Sequence, residues 1–264
     1  MQQSSYYQYR YFLKDSIRKN IDFLKTDQSL GIPPPPIEKP YKSNQDLISL
    51  PPSGAFRDLY RIDLQHAIRN RQSQRDFTAK AISLTDLSFL LWATQGIREQ
   101  IDDGHALRTV PSAGARHALE TYLAILNVDN LAKGFYRYLP IEHKLVVESH
   151  DSDADQKIVK ASFYQNWISD AAVFFIWAAI PSRMEWRYGL AAHRVILIDA
   201  GHVCQNLYLA SEAIGAGTCA VAAYDQDLMD RILGLDGNNE FAIYTAAVGK
   251  PTKQGGIPDR SPEK

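Results

Sequence analysis

The sequence has 264 residues, of which 45% are hydrophobic and 22% charged, enough for one globular domain with a sizeable core. Its formal net charge of −1 argues against a nucleic acid or an anionic membrane as the partner, because both attract proteins with a strong basic excess. The two cysteines, Cys204 and Cys219, are too few for a disulfide framework or a cysteine-rich zinc site.

The N-terminal segment is predicted to be a helix followed by an extended arm. An amphipathic pattern over residues 6–27 favours one helix that ends before Gly31. Its apolar face consists of Phe12, Leu13, Ile17, Ile21 and Leu24. Four prolines at 33–36 favour a stiff polyproline-type spacer, and residues 39–52 are expected to be extended. Having few apolar residues, the segment is expected to wrap the main body or a second protomer; a docking ligand for another protein is the alternative.

The chain therefore divides into an N-terminal arm, residues 1–54, and a body, residues 55–264. At the start of the body, Asp63 is predicted to cap a short helix through Asn70. Ser83 and Asp86 have the spacing of a capping box, which predicts a second helix that ends at Gly96.

Apolar stretches of the body are predicted to be β-strands. They cover residues 120–128, 134–138, 144–148, 171–180 and 240–248. The stretch 171–180 is the strongest candidate for a central strand, and the pair around Pro140 is expected to form neighbouring strands.

Apolar residues spaced by three and four predict a long buried helix before Gly215. They are Ile196, Ala200, Val203, Leu207, Ala210 and Ile214. Asp225 is predicted to cap a further helix that ends at Gly234. Helices and strands thus follow each other irregularly, which favours an α+β fold. The glycine-rich turn at 215–218 follows a helix, whereas a dinucleotide-binding turn follows a strand, so a Rossmann site is not expected.

Three arginines and a serine within residues 69–75 have the chemistry of a phosphate site, because guanidinium groups bind oxyanions with paired, charge-assisted hydrogen bonds. A solvated basic turn is the alternative. The alternation Arg71-x-Ser73-x-Arg75-x-Phe77 favours the phosphate site, since an extended segment would place its polar groups on one face while Phe77 closes into the core.

Two further segments are rich in small residues, namely 108–116, where they follow Pro111, and 215–223. Such residues let backbone amides approach a flat ligand closely, although an ordinary tight loop is the alternative for each. The C-terminal tail from Gly249 to Arg260 supplies late basic groups that could return to a phosphate.

Taken in order, these segments resemble the nitroreductase superfamily, and most of all its SagB-type dehydrogenase branch, whose best-known members oxidise azolines in peptide natural products. The resemblance covers about residues 55–260. It rests on six motifs: the Arg-x-Ser-x-Arg-x-Phe turn at 71–77, Pro-Ser-Ala-Gly-Ala at 111–115, Trp-Arg-Tyr-Gly at 186–189, Asp-Ala-Gly-His at 199–202, Gly-Ala-Gly-Thr-Cys at 215–219 and Ala-Val-Gly-Lys-Pro at 247–251.

This resemblance implies an α+β fold, with a central, mainly antiparallel sheet flanked by helices, in a homodimer that binds FMN at its interface. The residues implied for the FMN phosphate and ribityl chain are Arg71, Gln72, Ser73 and Arg75, with Arg75 at the flavin N1–O2 edge as the alternative. The other subunit would contribute Pro111, Ser112, Ala113 and Gly114. A backbone N–H to flavin N5 would come from Ala222 or Ala223, and the phosphate site would be completed by Lys253 or Arg260.

The implied activity is hydride transfer through flavin N5, with NADH or NADPH in a ping-pong cycle, or direct dehydrogenation of a small or peptide-derived substrate. In azoline-oxidising relatives a Lys-Tyr pair provides the general base, and the matching residues here are Arg187 and Tyr188. Arginine stays protonated, so Arg187 cannot accept a proton, although it can bind an anion. The alternative is an FMN-binding scaffold subunit without turnover in a biosynthetic complex.

The cellular location follows from what the sequence lacks. The first residues have no apolar core of a signal peptide, and no uncharged apolar run reaches membrane-spanning length. A cytoplasmic protein is therefore expected. No metal site is expected, because His193 and His202 do not share a helical face and neither cysteine belongs to a CxxC pair.

Overall fold

A seven-stranded antiparallel sheet with helices on both faces forms the centre of the protein, in a computed structural model that describes residues 2–58 and 62–252. The strands are β1 Leu47–Ser49, β2 Ile97–Asp102, β3 His105–Arg108, β4 Leu119–Ile125, β5 Gly134–Leu139, β6 Lys144–His150, β7 Val173–Ala179, β8 Gly217–Val221 and β9 Phe241–Gly249. Their order in the main sheet is β1-β6-β5-β4-β7-β9-β8, and β2 and β3 form a separate hairpin.

Seven α-helices lie around the sheet in the described residues. They are α1 Gln2–Leu13, α2 Leu64–Asn70, α3 Leu84–Gln95, α4 Ala154–Ala161, α5 Ser182–Tyr188, α6 Ala192–Ala213 and α7 Gln226–Leu233. In this part of the chain no helix combines the length and the apolar character needed to cross a membrane. The α+β architecture predicted from the sequence is confirmed.

The predicted helix caps are confirmed. The carboxylate of Asp63 accepts the His66 N–H at 2.7 Å, and the Ser83 hydroxyl accepts the Asp86 N–H at 3.0 Å. Asp225 accepts the Leu228 N–H at 3.0 Å, and α7 ends at Gly234 in the left-handed conformation. These side chains satisfy amide groups that a helix start leaves without a partner.

The two faces of the sheet bury different sets of side chains, because successive residues of a strand point to opposite sides. Phe175 and Trp177 of β7 pack into the core below α3 and α6. Phe174 and Ile176 of the same strand pack with residues of α4 and α7. The predicted stripe of α6 is buried along its length, from Ile196 to Ile214.

The single helix predicted over residues 6–27 is wrong. Helix α1 ends at Leu13, and two 3-10 turns follow at Asp15–Asn20 and Phe23–Lys25. Most of the predicted apolar face is exposed, since Leu13 is 70% and Leu24 is 82% exposed, although Ile17 and Ile21 are half-buried. Helices in water are held mainly by packing of their apolar face, so local bonds such as Asp22 to the Leu24 N–H decide the structure here.

The arm packs on the body of its own chain. Strand β1 pairs antiparallel with β6, and Ile37 is 1% exposed. The guanidinium of Arg137 donates to the carbonyls of Lys39 at 2.8 Å and Pro40 at 3.1 Å. Strand β1 of the arm thus forms one edge of the sheet. The division of the chain into an arm and a body at residue 54 stays a prediction.

Glu38 of the arm should make the stability of the protein pH dependent. Burial raises the pKa of its carboxyl to about 7, although the carboxylate accepts the Ile141 N–H at 2.9 Å. In the unfolded chain the Glu38 carboxyl ionises near its ordinary pKa of 4.5. The free energy of unfolding therefore falls as the pH rises from about 4.5 to 7 and then levels off. We expect Glu38→Gln to raise the melting temperature at pH 8 and leave it unchanged at pH 4, measured by calorimetry. An equal effect at both pH values would contradict this assignment.

Candidate functional site

The Arg-x-Ser-x-Arg-x-Phe segment runs from the end of α2 along the edge strand β8. Ser73 pairs with Thr218 of β8 in parallel, and the Gln74 N–H donates to the Thr218 carbonyl at 3.0 Å. Phe77 is 7% exposed and packs into the core, as the alternation predicts. The segment therefore holds Arg71, Ser73 and Arg75 beside the small residues at 217–221.

Arg71 and Arg75 form no ion pair with a carboxylate of the described residues. In that part of the chain the arginines in ion pairs are Arg18, Arg137, Arg183 and Arg194. Arg71 has a charge interaction with Glu212, whose pKa is raised by burial and lowered in part by His66 and Arg71. The guanidinium of Arg71 lies 5.2 Å from the ring centre of Tyr208, and that of Arg75 lies 5.9 Å from the ring centre of Trp167. The aromatic rings orient the two cations, while both remain available to an anion.

Tyr208 of α6 connects the two sides of this cluster. Its hydroxyl lies 3.0 Å from the Ser73 hydroxyl and accepts the Ala220 N–H at 2.8 Å. Sequence reasoning did not find this residue, because the helical pattern of α6 shows only which side chains are buried. We call Arg71, Ser73, Arg75 and Tyr208, together with strand β8, the phosphate cluster.

The tail approaches the same segment. Thr252 donates its N–H to the Asp76 carbonyl at 3.1 Å, and its hydroxyl to the Asp76 carboxylate at 2.8 Å. The ammonium group of Lys250 points elsewhere and donates to the Ile214 carbonyl at the end of α6, at 2.7 Å. The predicted phosphate ligands Lys253 and Arg260 lie outside the described residues.

The Pro-Ser-Ala-Gly-Ala loop is fixed to the first half of α6. The Ala113 N–H lies 3.3 Å from the Asp199 carboxylate, and Ser112 also hydrogen bonds to it. Burial raises the pKa of Asp199, and these two hydrogen bonds partly oppose that shift. Asp199 belongs to a motif noted in the sequence, but its contact with the loop joins residues 86 positions apart.

Gly114 of this loop lies against the predicted catalytic pair. It has φ +58°, and a Cβ there would lie 2.7 Å from the Tyr188 hydroxyl and 2.8 Å from Arg187 Nε. Glycine is required both by the positive φ and by this close approach. The structure thus brings Arg187 and Tyr188 together with Ser112, Ala113 and Gly114, and we call these five residues the loop cluster. Pro111 precedes them and is exposed.

Residues Gln72, Ala222 and Ala223 are exposed beside the phosphate cluster. Ala222 and Ala223 follow the end of β8, and the Ala223 carbonyl accepts the Gln165 side-chain amide at 3.2 Å. A polar cavity of about 420 Å³ lies between Thr78, Lys80 and Thr252 and the turn at Gly215.

Helix α6 holds the two clusters apart within one chain. Asp199 and Tyr208 are nine residues apart, which at 100° per residue places them on opposite sides of the helix and about 13 Å apart along its axis. Each cluster therefore presents only part of the predicted FMN site. The phosphate cluster offers cations and a hydroxyl, and the loop cluster offers a phenol, a guanidinium and backbone groups.

Comparison with known proteins connects this geometry to a family. The model of the Nitroreductase family matches residues 68–250. A nitroreductase-like protein of Methanocaldococcus jannaschii is 30% identical over 193 residues, which are 73% of this chain and 93% of that protein. The trifolitoxin-processing protein TfxB of Rhizobium leguminosarum bv. trifolii is 24% identical over 77% of this chain, and the match spans 55% of its own length.

Solved structures agree in fold. A nitroreductase-like protein of Ralstonia eutropha superposes with a TM-score of 0.65 at 22% identity, over 84% of this chain and 99% of its own. Another, from Desulfovibrio desulfuricans and solved in complex with FMN, has a TM-score of 0.51 at 18% identity, over 76% of this chain and 92% of its own.

Proposed function

The chain belongs to the nitroreductase family, and on that premise we propose that it is an FMN-dependent oxidoreductase that transfers hydride through the flavin. Members of this family are generally flavin-dependent oxidoreductases that bind FMN. The observation that carries the proposal is the phosphate cluster, where Arg71 and Arg75 flank the Ser73 hydroxyl without a carboxylate partner among the described residues.

The chemistry of this donor set fits FMN. Two guanidinium groups and a hydroxyl supply charge-assisted hydrogen bonds to a phosphate dianion, and Gln72 is exposed beside them for the ribityl chain. Either Ala222 or Ala223 is proposed to offer a backbone N–H to flavin N5. Lys253 or Arg260 is proposed to reach the phosphate, since Thr252 already brings the tail to Asp76.

We further propose that the working form is a homodimer with FMN at the interface. The two clusters lie on opposite sides of α6, so the loop cluster of a second copy is needed to complete each phosphate cluster. Helix α6 exposes two large apolar side chains, since Leu197 is 46% and Ile198 is 44% exposed. On α2, Leu64 is 65% and Ile68 is 58% exposed, beside an apolar cleft of about 530 Å³. Burial of these side chains would stabilise a dimer.

Bound FMN would supply a two-electron carrier that accepts and returns hydride at N5. Arg75 is proposed to place positive charge near the flavin, where it favours the electron-rich form. Tyr188 is proposed to hold or relay a proton, while Arg187 orients the substrate, because a guanidinium keeps its proton at any working pH. The reducing cytoplasm is the proposed location, consistent with the free thiols of Cys204 and Cys219.

The SagB-type branch is the more specific proposal, and the likeness to a trifolitoxin-processing protein supports it. Arg187 stands where azoline-oxidising relatives have the lysine of the base pair, so azoline oxidation lacks its proton acceptor here. That same residue favours a second candidate, an FMN-binding scaffold subunit without turnover in a biosynthetic complex.

An anaerobic reduction experiment separates these functions. Purified protein should be yellow. NADH or NADPH should bleach its flavin absorbance band, and a nitroarene or a quinone should then restore it. Yellow protein that neither nicotinamide bleaches would favour the scaffold or a direct dehydrogenase. Bleaching by a thiazoline compound in the same assay would then identify a direct dehydrogenase. Colourless protein that FMN does not stabilise against heat would refute the proposal.

A further inference from the structure

Arg116 is a buried cation beside the loop cluster with an unused hydrogen-bond donor. It is 1% exposed, and its guanidinium stacks 4.6 Å from the ring centre of Trp186. Nε donates to the Arg183 carbonyl and Nη1 to the Gly104 carbonyl, each at 3.1 Å. Nη2 has no partner, which is costly for a buried charged group.

Arg187 adds a second positive charge on the solvent side of the loop. It is half-buried, with Nε against Gly114 and its guanidinium 5.6 Å from the ring centre of Tyr188. Within the described residues neither Arg116 nor Arg187 is one of the arginines in ion pairs. We call Arg116, Arg187 and Tyr188 the arginine pocket.

The nearby carboxylates are already engaged. Asp102 binds the imidazole of His105 at 2.8 Å and the Gly104 N–H at 2.8 Å, and Glu185 binds His193 at 2.7 Å. Glu120 pairs with Arg183 at 2.5 Å. Burial lowers the pKa of Arg116 and the positive charges of Arg187 and Arg183 lower it further, while the Asp102 carboxylate partly opposes that shift. A bound anion would give Arg116 and Arg187 the counterion that neither has in an ion pair within the described residues.

We propose that the arginine pocket binds an oxyanion, a carboxylate or a phosphate, on the molecule that exchanges hydride with the flavin. Arg187 is the accessible donor, and Arg116 strengthens the positive field from the interior. The anion would fix the substrate beside the Tyr188 hydroxyl. This inference rests on the proposed oxidoreductase function and narrows its substrate class to anionic compounds.

Two sources share this chemistry, namely a carboxylate of the substrate and the 2′-phosphate of NADPH. Benzoate is a suitable probe for the first source, with uncharged benzamide as its control. Adenosine 2′,5′-bisphosphate is the probe for the second source, with AMP, which lacks the 2′-phosphate, as its control. Isothermal titration calorimetry on the holoprotein measures all four without requiring turnover. Two outcomes support the pocket. Binding of benzoate about 10- to 100-fold tighter than benzamide would assign the pocket to a substrate carboxylate. Binding of the bisphosphate tighter than AMP by about the same factor would assign it to the nucleotide.

Variants connect the preference to the pocket. Arg187→Gln is expected to remove most of the preference, whereas Arg187→Lys, which keeps the charge but loses the planar fork, should retain part of it. Arg231→Gln on the exposed face of α7 is the control for loss of one positive charge. Equal binding of charged and uncharged probes to flavin-loaded wild type would overturn the pocket, as would an unchanged preference in Arg187→Gln.

The same preparations distinguish failure of the pocket from failure of the proposed function, because flavin content is measured first. Protein that holds FMN, reacts with nicotinamide and shows no anion preference would retain the function and lose the pocket. Protein that binds no FMN but still prefers benzoate over benzamide would refute the proposed function and support the anion site.

Discussion

Replacing Arg71 with alanine is expected to release FMN from the protein while the dimer remains. Arg71 is half-buried, and its guanidinium is held against the Tyr208 ring without a carboxylate partner among the described residues. Removing a charge-assisted hydrogen bond to the phosphate should cost about 2–3 kcal/mol, or roughly 30- to 150-fold in dissociation constant. Flavin absorbance per protein chain after gel filtration measures the loss, and titration of FMN into apoprotein gives the affinity.

The matched control is Arg231→Ala, which removes the same charge from the exposed surface of α7. It should keep the flavin content of the wild type. The elution volume of Arg71→Ala should also match the wild type, since Arg71 binds the ligand and not the second chain in this proposal. Full flavin occupancy in Arg71→Ala would remove this residue from the site.

The largest effect on stability is expected for Glu120→Gln. The carboxylate of Glu120 is 2% exposed and accepts hydrogen bonds from Arg183 at 2.5 Å and from the Lys39 N–H at 2.8 Å, with Arg137 at 3.8 Å. Glutamine keeps the shape but leaves buried guanidinium charges without a counterion, which typically costs about 3–5 kcal/mol of unfolding free energy. Urea unfolding followed by circular dichroism measures the difference.

The exposed pair of Glu142 and Lys144 provides the control, and Glu142→Gln should change stability far less. The pH dependence gives a second check. Burial alone would raise the pKa of Glu120, but Arg183, Arg137 and Arg108 together hold it below its ordinary value. The contribution of the Glu120 carboxylate to the free energy of unfolding is therefore complete above about pH 4.5. It is lost as the pH falls through the lowered pKa. A Glu120→Gln protein as stable as the wild type at pH 7 would show that the buried arginines do not need this counterion.

The starts of α2, α3 and α7 were predicted correctly from short-range sequence signals. Asp63, Ser83 and Asp225 each cap the helix that was expected of them, because a cap depends on residues only a few positions apart. The prediction of one helix over 6–27 was wrong because only Ile17 and Ile21 of its apolar face are half-buried, which is too little packing to hold a continuous helix. The hairpin of β2 and β3 was missed although Asp103-Gly104 is a turn signal, because its strands are mostly exposed and lack a clear alternation.

The candidate site was predicted as motifs but not as an arrangement. Phe77 is buried, as the alternation predicted, whereas the position of residues 71–77 along β8 was not predicted. The side chains that organise the motifs come from distant positions, as Tyr208 does for Ser73 and Asp199 does for Ala113. Such contacts depend on tertiary packing, and spacing within one sequence carries no signal for them.

The position of α6 between the two clusters has a genetic consequence if each site draws on both copies. A chain that lacks Arg71 and a chain that lacks Tyr188 would each form inactive homodimers. When both are made in one cell, every mixed dimer would unite the intact phosphate cluster of one chain with the intact loop cluster of the other. One working site per mixed dimer would result, so two defective alleles would complement each other.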